Sequence, residues 1–208
     1  MLENQKVSEI IKSIQSKKIS VKEVIEFYIG RIEKYNPKLN AIVLLKETEK
    51  ILEEAKKKDN QIDKNKPLFG LPLAIKDLSD VVGFQTTYGF EGYKDYFPKK
   101  NSLFVDKLIE NGAIIIGKTN TAELGIGGHT TNRLFGPTSN VYDLSKSAGG
   151  SSGGASSAVA ALIASSILTS ANDATNALTW ASLTSAPVAL TTLATFSSLT
   201  SFSSLCNI

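Results

Sequence analysis

Two stretches of this chain hold residues whose types and spacing could do chemistry. Ser147 to Gly154 reads Ser-Ala-Gly-Gly-Ser-Ser-Gly-Gly, and Lys76 closes the apolar run Leu71 to Ile75. A serine hydroxyl is a weak nucleophile until a base takes its proton. A lysine at the end of a buried strand can be desolvated, which favours the neutral amine and makes it such a base. The plain alternative is a solvated surface lysine. The glycine run has three readings: a flexible linker, a nest of N–H groups for an anion at a helix N-terminus, or a loop holding a serine in a backbone conformation closed to ordinary residues. The run lacks the Lys-Ser/Thr ending of a P-loop, which argues against a nucleotide site. The lone His129 permits a Ser-His-Asp arrangement, but nothing around it supports one, and it reads as structural or pocket-lining. A Cys206–His129 pair is weaker still.

These residues need elements to position them. Val7, Ile10, Ile11 and Ile14 mark a short amphipathic helix over 7–15. Ser20-Val-Lys-Glu23 is a capping box, followed at helical spacing by Val24, Ile25, Tyr28, Ile29 and Ile32. That helix is expected to stop before Asn36-Pro37. Leu39 to Leu45 reads as a strand and Glu47 to Lys58 as a charged helix with Ile51, Leu52 and Ala55 inward. Lys56-Lys57-Lys58 reads as a solvated helix end, because cations favour the C-terminal turn. Gly70 to Asp77 is a short buried strand, 83–101 an aromatic loop, and Ser102 to Asn111 an amphipathic helix stopped by Gly112. Ala113 to Ile116 is an apolar strand of the kind buried on both faces. Strand, helix and strand in succession imply a right-handed crossover, a parallel or mixed sheet and an α/β class.

The totals bound the rest. The chain has 208 residues, 42% hydrophobic and 21% charged, the composition of one globular domain. A net charge of +3 is too small to argue for nucleic acid or anionic lipid as a partner. One cysteine excludes an internal disulfide framework or a cysteine-cluster metal site, which fits a cytoplasmic setting. The start shows no apolar leader. All 23 lysines and arginines lie before residue 147. Beyond Gly154 the chain is dominated by Ser, Ala and Thr, and Asp173 is its one charge. Ala155 to Ala171 is uncharged, yet its serines and few large apolar residues make a poor membrane span.

Four segments carry a family resemblance: Gly70-Leu-Pro-Leu-Ala-Ile-Lys-Asp77, Gly117-Lys-Thr-Asn120, Leu134-Phe-Gly-Pro-Thr-Ser-Asn140 and Gly149-Gly-Ser-Ser-Gly-Gly154. In order and rough spacing they resemble the amidase signature family, over residues 1 to about 165. The resemblance implies a mixed-sheet α/β/α amidase-signature core, of which this chain supplies the N-terminal part only. It implies a single, incomplete domain over 1–208, with a helical region at 1–66 and the start of a catalytic core at 67–208. The family's Ser–cis-Ser–Lys triad hydrolyses a carboxamide through an acyl-enzyme intermediate, with no metal and no organic cofactor. Matched by motif, Lys76 is the base, and Ser151 is the bridging serine whose peptide bond is cis. Gly125, Ile126, Gly127, Gly128 and Thr130 match a loop lining the acyl pocket; a tight turn is the alternative for that loop.

The match breaks at the nucleophile. The family's serine lies roughly two dozen residues past the bridging serine, within a glycine-rich segment. Counting from Ser151 puts Thr175 there, and anchoring on Asp173 puts Ala177 there. Two readings stay open: an inactive, truncated chain, or an ordinary amidase whose recorded tail misreports its residues. Within the family the rival is the A subunit of the tRNA-dependent amidotransferase, although Gly125 to Thr130 look more like a general amidase. The expected partner is a small amide substrate, without nucleic acid or membrane, with a homodimer as one assembly open to the chain.

Overall fold

The computed structural model describes residues 2–163, and Thr175, Ala177, Asp173 and Cys206 lie outside them. Helices α1 (Val7–Gln15) and α2 (Val21–Leu39) come first, then strand β1 (Ile42–Leu45) and helix α3 (Thr48–Asn60). Strand β2 (Pro72–Lys76), helix α4 (Leu103–Glu110), strand β3 (Ile114–Thr119) and helix α5 (Gly153–Ala160) follow. The strands form one mixed sheet in the order β1-β3-β2, with β3 parallel to β2 and antiparallel to β1. The α/β class and the mixed sheet thus hold. Among the described residues, no helix is long and apolar enough to cross a membrane.

The capping box forms as read: Ser20 Oγ accepts from Glu23 N at 3.1 Å, and Glu23 Oε2 accepts from Ser20 N at 2.7 Å. The expected stop at Asn36-Pro37 is overturned, because α2 runs through Pro37 to Leu39. Two asparagines tie off this end. Asn36 Oδ1 accepts from Ala41 N and Ile42 N, and Asn40 closes the helix in the left-handed conformation at φ 50°. Proline within the last turn forgoes one hydrogen bond where these side chains supply others. The expected strand from Leu39 therefore starts only at Ile42.

One apolar cluster joins the helices to the sheet. Ile10, Ile14, Val24, Ile25, Ile29 and Ile51 pack with Ile114 and Ile116 of β3 and with Ala158 and Ile163 at and beyond α5. The helical region and the sheet thus share one core. In α4 the buried residues are Val105 and Leu108, whereas Leu103, Phe104 and Ile109 are exposed. The third strand extends past Ile116 to Thr119 and is buried along its whole length. Its polar end, Gly117 to Thr119, lies beyond the expected Ala113–Ile116 strand. The α5 helix begins inside the glycine run, at Gly153, and Arg31 of α2 donates to Ala161 O at its other end, at 2.8 and 3.1 Å.

Candidate active site

A register shift decides what each strand end presents. Leu73 pairs with Ile115, but Ala74 pairs with Gly117, so β3 carries an extra residue there. Ile75 then lies beside Lys118, and Lys76 beside Thr119. Paired residues share a face and successive residues alternate, so Lys76 and Lys118 project from opposite faces of the sheet.

Lys76 projects toward the glycine run. Its Nζ is 2.8 Å from Ser151 Oγ and 2.7 Å from Ser152 Oγ, in donor geometry to both. Burial pushes its pKa below the ordinary lysine value. The Gly150–Ser151 peptide bond is cis. A lysine with depressed proton affinity held against two hydroxyls is the arrangement proton transfer requires. Ser152 was not singled out in the sequence, where nothing separates it from Ser151 except position in the motif.

The glycines have a packing reason, and the linker reading fails. A Cβ on Gly154 would sit 2.4 Å from Asn120 N and 2.8 Å from Ala41 O. A Cβ on Gly150 would sit 2.7 Å from His129 N. The run is therefore pressed onto the end of β3 and onto the 127–130 loop, closer than any side chain allows. Hydrogen bonds complete the seat: Ala122 N and Thr121 Oγ1 donate to Ser151 O, and Thr130 N donates to Gly149 O. Gly153 N donates to Thr130 Oγ1 at 2.7 Å, so this donor at the helix start is engaged within the protein.

Thr130 is fully buried by these contacts and holds the glycine run rather than facing solvent. Gly125 is half-buried, whereas Ile126, Gly127, Gly128 and His129 are exposed on the same loop. Ile126 is 79% exposed. Behind the loop stands a buried asparagine pair that sequence reasoning passed over: Asn132 Nδ2 donates to Asn120 Oδ1 at 2.7 Å and to Thr121 O at 2.9 Å. Asn120 Nδ2 in turn donates to Gly136 O and Thr138 Oγ1. The Gly117–Asn120 and Leu134–Asn140 segments are thereby joined into one support.

Asp77 and Lys118 were also missed as a pair. Lys118 Nζ donates to Asp77 Oδ1 at 2.8 Å, Thr86 Oγ1 at 3.0 Å and Gln85 O at 3.2 Å, and both charged side chains are fully buried. Burial pushes the Lys118 amine down, and the Asp77 carboxylate offsets part of that. Asp77 also accepts from Thr87 N and from the Thr87 hydroxyl.

A half-buried lysine thus faces paired serines at the edge of a mixed sheet. Residues 23–170 match the family described as Amidase, and the chain belongs to it. It is 42% identical to an acylamidase of Rhodococcus erythropolis over 147 residues, covering 69% of this chain and 31% of that protein. It is 36% identical to the A subunit of the glutamyl-tRNA(Gln) amidotransferase of Saccharolobus solfataricus over 145 residues, 70% of this chain and 30% of that protein. The crystal structure of a bacterial aryl acylamidase of the amidase signature family superposes with a TM-score of 0.70 at 34% identity, over 77% of this chain and 34% of the other. The chain thus spans about a third of the length of these relatives.

Proposed function

We propose that this chain carries the proton-transfer half of an amide-cleaving site, with Lys76 as base, Ser151 as proton bridge and a hydroxyl nucleophile downstream. The contact between Lys76 Nζ and Ser151 Oγ, at 2.8 Å, carries the reading. In the reaction, the nucleophile's hydroxyl proton passes to Ser151 Oγ while the Ser151 proton passes to Lys76. The freed oxygen bonds to the carboxamide carbon. As the C–N bond breaks, the proton returns along the same path to the departing amine. Water then releases the acyl group as acid by the reverse relay. Of the two positions matched to the nucleophile, Thr175 has a hydroxyl and Ala177 has none, so Thr175 takes the role. The Gly125–Gly128 segment, exposed from Ile126 to Gly128, lines the acyl side of the site, and Thr130 at its end holds the glycine run in place.

The substrate class is a small carboxamide, as the likeness to an acylamidase suggests. The likeness to an amidotransferase component supports a second reading, in which the same groups release ammonia for transfer within a larger assembly. Co-purification with a tRNA-binding partner would favour that one. Labelling with a fluorophosphonate probe, followed by mass spectrometry of peptides from 147–208, tests the shared chemistry. Modification at Thr175 sustains the assignment; modification at another position moves the nucleophile there. An unlabelled tail whose masses match the sequence sinks the hydrolytic reading.

A further inference from the structure

Lys118–Asp77 is the one ion pair with both side chains fully buried among the described residues. Such a pair is a poor source of stability, because stripping water from two charges costs about what their attraction returns. Its location is more informative. Asp77 follows Lys76 directly, and the ladder sets Lys118 beside Ile75, the residue before Lys76. Asp77 is also fixed through its backbone: its N–H donates to Thr119 O at 3.0 Å, and its carbonyl accepts from Tyr88 N at 3.1 Å. An unpaired carboxylate at this position would favour the ammonium form of its neighbour, and an ammonium accepts no proton.

We propose that Lys118 is a positioning residue for Lys76: it cancels the charge of Asp77 and pins the end of β2, so that Lys76 meets Ser151 and Ser152 as a free amine. This rests on the assignment of Lys76 as base. Along the strand ends, the charged groups beside Lys76 are Asp77 and Lys118. The serines in front of Lys76 carry no charge, and α5 has no ionisable side chain. Thr119 stands beside Lys76 with its hydroxyl buried. Tyr28 is the titratable residue on the buried face of α2. Glu123 and His129 lie on the loop that seats the glycine run, and β1 carries no titratable group. Asp80 lies on the Lys118 side, where its charge favours the Lys118 ammonium.

Trace acetylation of the 208-residue chain with acetic anhydride across a pH series, read by mass spectrometry of the Lys76 peptide, gives the midpoint at which Lys76 becomes a free amine. Lys118→Met leaves Asp77 unopposed and should raise that midpoint by about one pH unit. Lys118→Arg keeps the charge and should hold the midpoint at its original value. The double variant Asp77→Asn/Lys118→Met removes both charges and should bring it back. An unchanged midpoint in folded Lys118→Met overturns the proposal. If that variant does not fold, Lys118→Gln, which can still donate a hydrogen bond to Asp77 but carries no charge, should raise the midpoint in the same way; one that stays or falls overturns the proposal equally. The readout is proton binding rather than turnover. A chain that cleaves no amide yet shows these shifts sustains the pairing and defeats the hydrolytic reading alone.

Discussion

Lys76 and Lys118 are the same residue type at the ends of neighbouring strands, and the fold gives them opposite surroundings. Lys76 is half-buried and, among the described residues, its hydrogen bonds go to two hydroxyls. Lys118 is fully buried and meets a carboxylate, a hydroxyl and a carbonyl. Burial depresses both amines, but among the described residues Lys118 has a counter-charge to offset it and Lys76 has none. One extra residue in β3 produces the difference, by sending the two side chains to opposite faces. Burial without a carboxylate partner is what lowers an amine's proton affinity, and that is the property the proposed base at Lys76 needs.

The sharpest way to break this comparison is Lys76→Ala. Loss of a positioned base should lower amide turnover, or labelling of the nucleophile, by about 10²–10⁴-fold with circular dichroism unchanged. Retained turnover would mean that Lys76 is another surface lysine. Lys118→Met should instead show itself in urea denaturation, at a cost of about 3–5 kcal/mol, because it strands a buried carboxylate. The double variant Asp77→Asn/Lys118→Met should cost much less. Similar costs for the single and the double variants would remove the ion pair from the account. Gly154→Ala should cost about 1–3 kcal/mol by the same assay, since its methyl has no room against Asn120 and Ala41, and the Lys76–serine contact should be lost with it.

A pH series separates the lysines further. Where a folded-state lysine pKa lies below its unfolded value, the unfolded chain holds more protons between the two. Stability against unfolding should then rise with pH from the depressed folded-state pKa of Lys76 and Lys118 toward the ordinary lysine range. Replacing both by Met should flatten that rise, and an unflattened curve would assign it to other groups. As a surface control, Lys107→Ala removes a solvent-exposed pair with Glu110 and should leave the urea midpoint where it is.

Local signals in the sequence were strong where they needed no partner. The capping box at Ser20–Glu23 and the periodicity behind it placed the start of α2. The glycine–serine run and the strand ending at Lys76 pointed to each other before their contact was known. Non-local terms decided the rest. The end of α2 depends on Asn36 and Asn40, whose partners include Phe135 O and Pro137 O, nearly a hundred residues away. Which residues α4 buries depends on what covers it, so Leu103 and Ile109 face outward despite their periodicity. The Asp77–Lys118 pair was illegible because its formation turns on a register shift, and no spacing in the sequence announces one. Thr130 looked like a pocket residue on a motif match, yet its hydroxyl is spent on Gly153 N.

The tight seat of Gly154 gives the molecule a built-in reporter. Asn120 N donates to Ala41 O at 2.9 Å, and Gly154 lies directly over that bond. Lifting α5 away uncovers this amide. In deuterium exchange, its rate therefore measures how often the segment bearing Ser151 and Ser152 leaves its place beside Lys76. A single amide, remote in sequence from both serines, would time the opening of the site.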